Sequence, residues 1–134
     1  MPEENVEIVQ RAWEAWLGGD MDALFELWDT DVVWDLTHFR EWPDNRHEGR
    51  EDVKRFLNEW LDVWSDYEVG VDERFEAPDG RVVTLAWQRG RGNRSGLPMH
   101  MEWAEIATVR DGKVALLEQY DDRSKALEAA GLSQ

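Results

Sequence analysis

The stretch MHMEWAEIATVRDGKVALLEQY, residues 99–120, decides the fold. Met99, Met101, Trp103, Ala107 and Val109 fall at every second position, the period of a strand with one buried face. Asp111-Gly112 is a hairpin turn pair, and Val114 to Tyr120 forms the returning strand. Glu105 is the one charged residue in the apolar row. If that row lines a pocket, desolvation raises the pKa of the carboxyl and lets it act as a general acid or base. The competing reading is a rim residue or a structural ion pair with an arginine.

The neighbours of Glu105 depend on hairpin register. A two-residue Asp111-Gly112 turn pairs Arg110 with Lys113 and sets Glu105 opposite Glu118. A three-residue turn with a glycine bulge pairs Val109 with Lys113 and brings Leu117, Gln119 and Asp121 onto the face of Glu105. A one-residue slip exchanges the faces. Opposed like charges are unfavourable in a sheet, so the bulged register is preferred.

Upstream, Tyr67, Val69 and Val71 alternate, Pro78-Asp79-Gly80 makes a turn, and residues 81–89 form a strand ahead of the glycine-rich loop 90–96. Before residue 67 the period changes. Val53, Phe56, Leu57, Trp60, Leu61 and Trp64 lie on one helical face. Val6, Val9, Trp13, Trp16 and Leu17 mark a first helix, with Asn5 as its cap and Gly18-Gly19 as its end. Asp20 caps a second helix carrying Leu24, Leu27 and Trp28. Residues 32–34 form a brief strand, 36–48 read as a loop, and a last helix from Arg123 to Ala130 stops at Gly131. The expectation is an α+β fold: a curved antiparallel sheet with three N-terminal helices on one face, forming a cone-shaped pocket. At 134 residues the chain is one domain, 1–134.

Composition narrows the function. There is no cysteine, which excludes thiolate chemistry and disulfides. A net charge of −15 opposes nucleic acid and anionic membranes as partners. The lack of a secretory signal or a membrane span predicts a cytoplasmic protein. Arg81, Arg89, Arg91 and Arg94 lie in an acid-free stretch that reads as a solvated hairpin. Nine tryptophans are more than a core of this size requires. Trp34, Trp42, Trp87 and Trp103 are candidate pocket walls, while Trp13, Trp16, Trp28, Trp60 and Trp64 sit at helical core spacing.

The order of elements, with Gly49-Arg50-Glu51-Asp52-Val53 opening the third helix, Asp111-Gly112-Lys113-Val114 in the hairpin and Glu118-Gln119-Tyr120-Asp121-Asp122-Arg123 at the end, resembles the SnoaL-like branch of the nuclear transport factor 2-like superfamily. The resemblance implies a cone with a deep apolar pocket and a homodimer formed through the outer sheet face. It also sets a test for chemistry. Ketosteroid isomerase's strand-one aspartate falls at Leu36, its helix-one tyrosine at Ala12 and its proton-donating acid near Glu105, so one of the three is retained. The last-strand aspartate of limonene epoxide hydrolase falls at Gln119. Fold alone assigns no reaction.

The remaining candidates are the histidines. His38 and His47 lie in the loop expected over the pocket mouth, where either could serve as a base with Asp35. No third ligand joins His38 and Glu41, so no metal site is expected, and Gly90-x-Gly92 lacks the helix that a dinucleotide site needs. The expected site has Glu105, Asp121 and His38 as proton-handling groups, with Trp34, Leu36, Trp87, Met101, Trp103, Leu117 and Gln119 around a hydrophobic small molecule. No cofactor is expected. The alternative is a ligand-binding or dimeric scaffold protein without catalysis.

Overall fold

The computed structural model describes residues 2–39 and 45–132. Helix α1 spans Pro2–Leu17 and α2 spans Met21–Glu26. Proline at the first helical position lacks only an amide hydrogen that would go unbonded there. Asn5 therefore lies inside α1 rather than at its cap, and its side chain donates to Gly80 O at 3.0 Å. Val9, Ala12 and Trp13 of α1 are buried, while Leu17 is 50% exposed beside the Gly18-Gly19 break. Asp20 caps α2 as expected, accepting from Ala23 N at 3.1 Å.

Strand β1 (Trp28–His38) and the short β2 (Arg46–Glu48) follow, in a region expected to be mostly loop. Helix α3 (Arg50–Val63) turns into β3 (Trp64–Glu76) without a linker, so Trp64 begins a strand instead of ending the helix. Strands β4 (Val82–Gly92), β5 (Pro98–Arg110) and β6 (Lys113–Tyr120) then precede α4 (Arg123–Ala129). The first three helices are thus interleaved with β1 and β2, and a fourth helix lies at the C-terminal end. Among the described residues no helix is long and apolar enough to cross a membrane.

The curved sheet runs β2-β1-β6-β5-β4-β3. It is mixed: β1 pairs with β6 in parallel, whereas the other neighbours are antiparallel. Hairpins fix the direction of β3 to β6, but β1 reaches β6 only after the long stretch through α3, and no tight turn ties their directions. The main core lies between α1–α3 and the inner face, built on Val9, Trp28, Val53, Val82 and Val114. A second, smaller core lies under α4 on the outer face, around Val83, Leu85, Ile106, Tyr120 and Ala126.

Arg123, the first residue of α4, ties that helix across three strands. Its Nη2 donates to Ala86 O at 2.6 Å and to Asp72 Oδ2 at 2.7 Å, and its Nε donates to Trp103 O at 3.4 Å. Asp72 sits at a break in the β3–β4 register. Hydrogen bonds to a charged group contribute about 1.5–3 kcal/mol each, so Arg123→Ala is expected to lower stability by about 2 kcal/mol in urea denaturation. An unchanged midpoint would mean that the apolar contacts alone hold α4. The arginine-rich hairpin carries no open cationic patch at Arg81 or Arg89: Arg81 pairs with Asp79 at 2.8 Å and Arg89 grips both oxygens of Glu68 at 3.0 Å.

Candidate functional site

Between α1, α3 and the inner sheet face lies a cavity of about 90 Å³. Trp13, Trp16, Trp28, Trp34, Trp60 and Trp103 line it. Four of these came from the set expected to be plain core. Helical spacing identifies an inward face, but it does not say whether that face meets another side chain or a void. Trp13 and Trp103 approach with ring centroids 5.8 Å apart, and Trp28 meets Trp34 edge-on at 6.2 Å. Trp42 lies outside the described residues.

Glu105 is in the cavity wall and only 4% exposed. It belongs to a polar row crossing four strands. Arg74 of β3 pairs with Thr84 of β4, Thr84 with Glu105 of β5, and Glu105 with Gln119 of β6. Trp13 Nε1 donates to Glu105 Oε2 at 2.9 Å, and Gln119 Nε2 donates to Oε1 at 2.9 Å. Arg74 Nε donates to Thr84 Oγ1 at 3.1 Å, and its charge reaches both Glu105 and Glu14. Burial raises the Glu105 pKa above the ordinary carboxylate value. The donors Gln119 and Trp13 and the charge of Arg74 pull the other way without cancelling that rise. An indole N–H only donates, so Oε2 is held as an acceptor whichever way the Gln119 amide points.

The hairpin combines both registers considered above. Its turn has two residues, with Asp111 at φ 52° and Gly112 at φ 76°, and pairs Arg110 with Lys113. Val109 then pairs with Val114 and Thr108 with Leu116, leaving Ala115 as an extra residue. This bulge, rather than a three-residue turn, sets Glu105 opposite Gln119 and turns Glu118 to the other face. Val114, Leu117 and Gln119 all reach the cavity as a result. Gln119 thus shares the face of Glu105, as expected, but through a different turn.

A second bulge removes His38. Asp35 pairs with Glu118 and His38 with Tyr120, so β1 spends three steps where β6 spends two. Leu36 stays in the cavity wall, and His38 stacks on Tyr120 with centroids 4.1 Å apart. It does not border the cavity. Asp35, His38 and Glu118 form a group whose ligand atoms lie within 4.8 Å, with Glu118 as the third member that sequence spacing did not disclose. Asp35 is already engaged: Oδ1 accepts from Thr37 N and Oγ1 at 2.8 and 2.6 Å, and Oδ2 lies 3.6 Å from Arg46 Nη1. His47 stacks on Phe56 at 4.3 Å and faces Asp52 at 3.3 Å, again away from the cavity wall.

Of the expected site residues, Glu105, Trp34, Leu36, Trp103, Leu117 and Gln119 come together in the wall. Asp121 follows the end of β6 and does not line the cavity. Trp87 is on the outer parity of β4 and lies over Gly70, where a Cβ would stand 2.5 Å from its ring. Gln88 takes the inner position. Met101 pairs with Gln88 across β4 and β5 and does not line the cavity; the Gln88 amide donates to its Sδ at 3.5 Å. Sequence reasoning missed Tyr67 and Gln88, joined by a 2.7 Å hydrogen bond from the phenol to Gln88 Oε1. Burial raises the Tyr67 pKa. The strand alternation of Tyr67 with Val69 and Val71 was the available signal.

A family model described as SnoaL-like domain matches residues 9–117. Among curated proteins no significant sequence match is found. Several solved structures share the fold. TerC, co-crystallised with polyporic acid, is 20% identical, with 96% of this chain and 98% of that one covered at a TM-score of 0.73. A candidate polyketide cyclase from Xanthomonas campestris is 21% identical over 96% and 97% of the two chains, at a TM-score of 0.72. A protein of ketosteroid isomerase-like fold from Catenulispora acidiphila, in complex with trimethylamine, is 21% identical over 94% and 93%, at 0.70.

Proposed function

This chain belongs to the SnoaL-like domain family, and from that premise we propose that its cavity binds a small organic molecule on which Glu105 performs acid–base chemistry. The observation that carries the reading is a buried carboxyl in a tryptophan wall, with both oxygens held by N–H donors. Ionised, Glu105 takes a proton from an acidic C–H or O–H of the ligand; protonated, it gives one back. Its raised pKa brings the two forms closer to balance near neutrality. Gln119 and Trp13 orient the carboxyl, and the indoles exclude water.

Cyclase- and isomerase-like neighbours support a role in this broad class. The pattern of ketosteroid isomerase is not carried over: Leu36 and Ala12 are in the wall, and Asp35 points away from it. The cavity is also smaller than the ~150 Å³ void that accommodates benzene in an engineered core. The ligand that fits this arrangement is therefore compact. The same proposal includes a homodimer through the part of the outer face that α4 leaves uncovered.

The test is a thermal-shift screen of compact amines, ketones, phenols and acids, followed by Glu105→Gln. Saturation at 100 times the dissociation constant adds about 2.7 kcal/mol of stability. The variant should lose turnover by far more than any change in binding accounts for. Binding with no turnover by the parent protein would instead favour the ligand-binding reading, in which Glu105 only recognises.

A further inference from the structure

We propose that the ligand of this cavity is an organic cation, a quaternary ammonium or protonated amine held by indole faces against the Glu105 carboxylate. The proposal deepens the reading above and rests on the cavity being the functional site. Three observations lead to it.

The first is the wall itself. Six indoles border the cavity, together with Phe39, Phe56 and Tyr67. An aromatic face carries negative electrostatic potential, and indole is the strongest of the natural rings in attracting a cation. Trp34 and Trp103 have buried Nε1 atoms without an acceptor among the described residues and with essentially no accessible surface. Their N–H edges are thus withheld from the void, and these two rings offer a ligand only carbon surface.

The second is charge. The described lining contains Glu105 but no lysine, arginine or histidine. The titratable and charged groups that act on Glu105 are few. Arg74 approaches from β3 with its Nε given to Thr84 and its charge shared with Glu14 of α1; Trp13 and Gln119 are neutral donors. A buried carboxylate is costly without a partner. A cation in the void supplies one, and an anion would add like charge. Net charge of −15 also raises the local concentration of cations around the molecule.

The third is the state in which Glu105 is held. Trp13 Nε1 fixes Oε2 as an acceptor, and as placed Gln119 Nε2 donates to Oε1. A carboxylate has about four lone-pair directions, so these two bonds leave acceptor capacity for a ligand. Cation binding stabilises the ionised form and lowers the Glu105 pKa, so whatever fraction of the carboxyl is protonated beforehand gives up its proton on binding. The sign follows: affinity for a cation rises with pH through the raised pKa of Glu105, and affinity for a neutral ligand does not.

The experiment compares choline with 3,3-dimethylbutan-1-ol, its neutral carbon isostere, by isothermal titration and tryptophan fluorescence. At pH 8 choline should bind at least about tenfold more tightly, as expected for desolvated cation–π contact with a carboxylate nearby. The preference should shrink several-fold in Glu105→Gln, to what the indole faces alone supply. In the parent protein choline affinity should fall on acidification, and proton release should appear as a dependence of the heat on buffer ionisation enthalpy. This last measurement needs no variant. Equal or tighter binding of the isostere overturns the cation assignment and leaves the small-molecule site standing. Preference for benzoate over both does the same. If none of these probes binds and the broader screen is also silent, both readings fall.

Discussion

Gln119→Glu is expected to destabilise the protein by up to roughly 3–4 kcal/mol at pH 7, less by whatever parental Glu105 itself loses over the same range, and to leave it near the parent at pH 4, because a buried pair of carboxyls would have to keep a proton that the unfolded chain releases. Gln119 is 2% exposed, and its Nε2 lies 2.9 Å from Glu105 Oε1. Two carboxylates at that separation in an apolar wall cannot both ionise. The folded pair then binds one more proton than the unfolded chain from about pH 4.3 upward. Stability declines by up to about 1.4 kcal/mol per pH unit through that window. Urea denaturation across pH measures the slope. The exchanged pair, Glu105→Gln with Gln119→Glu, restores one carboxyl and one amide and should recover most of the loss. A single variant within about 1 kcal/mol of the parent at pH 7 would show that this part of the wall is well solvated.

Glu105→Gln should reduce turnover of whatever substrate the screen identifies by about 10²–10⁴-fold, the usual contribution of a positioned proton-transfer group. Its effect on folding has the opposite sign. Folded Glu105 has a pKa above its ordinary value of 4.5. The stability available with Glu105 neutral is complete below that value and is lost as pH rises toward the raised folded pKa. Glutamine does not titrate, and its amide can take both partners once Gln119 turns. The variant should therefore gain stability relative to the parent between pH 5 and 8, measured as a pH-dependent difference in Tm. A variant that keeps full turnover removes Glu105 from the chemistry; one whose Tm difference is flat with pH contradicts its burial as a carboxyl.

Much of this site is legible in the sequence. The inward face of α1, from Val9 to Trp13 and Trp16, follows from spacing alone, as does the Val53–Leu57 stripe of α3. The alternation of β5 correctly placed Glu105 beside Trp103 on the cavity side. Other residues gave no such guide. In β4, Val82 to Ala86 is buried throughout, since α4 covers one face and the main core covers the other. With both faces buried the period of two loses its phase, so the sequence points to Trp87 where Gln88 is the inner residue. Residues 36–48 had no clean period, although β1 continues to His38 and β2 pairs Arg46 with Asp35.

The sequence by itself determined the four helices, the hairpin of β5 and β6, the apolar faces of the helices and the single carboxyl in the inward row of β5, because each is a local periodicity written along one segment. Only the tertiary structure decided which residues join that carboxyl. The bulge at Ala115 brings in Gln119 and turns out Glu118, and the bulge before His38 takes that histidine from the wall. A bulge shifts one strand by a residue, and its stability depends on what stands opposite: Glu118 against Glu105 without it, Gln119 against Glu105 with it. That comparison involves two strands and the helix supplying Trp13, and no period along one segment contains it.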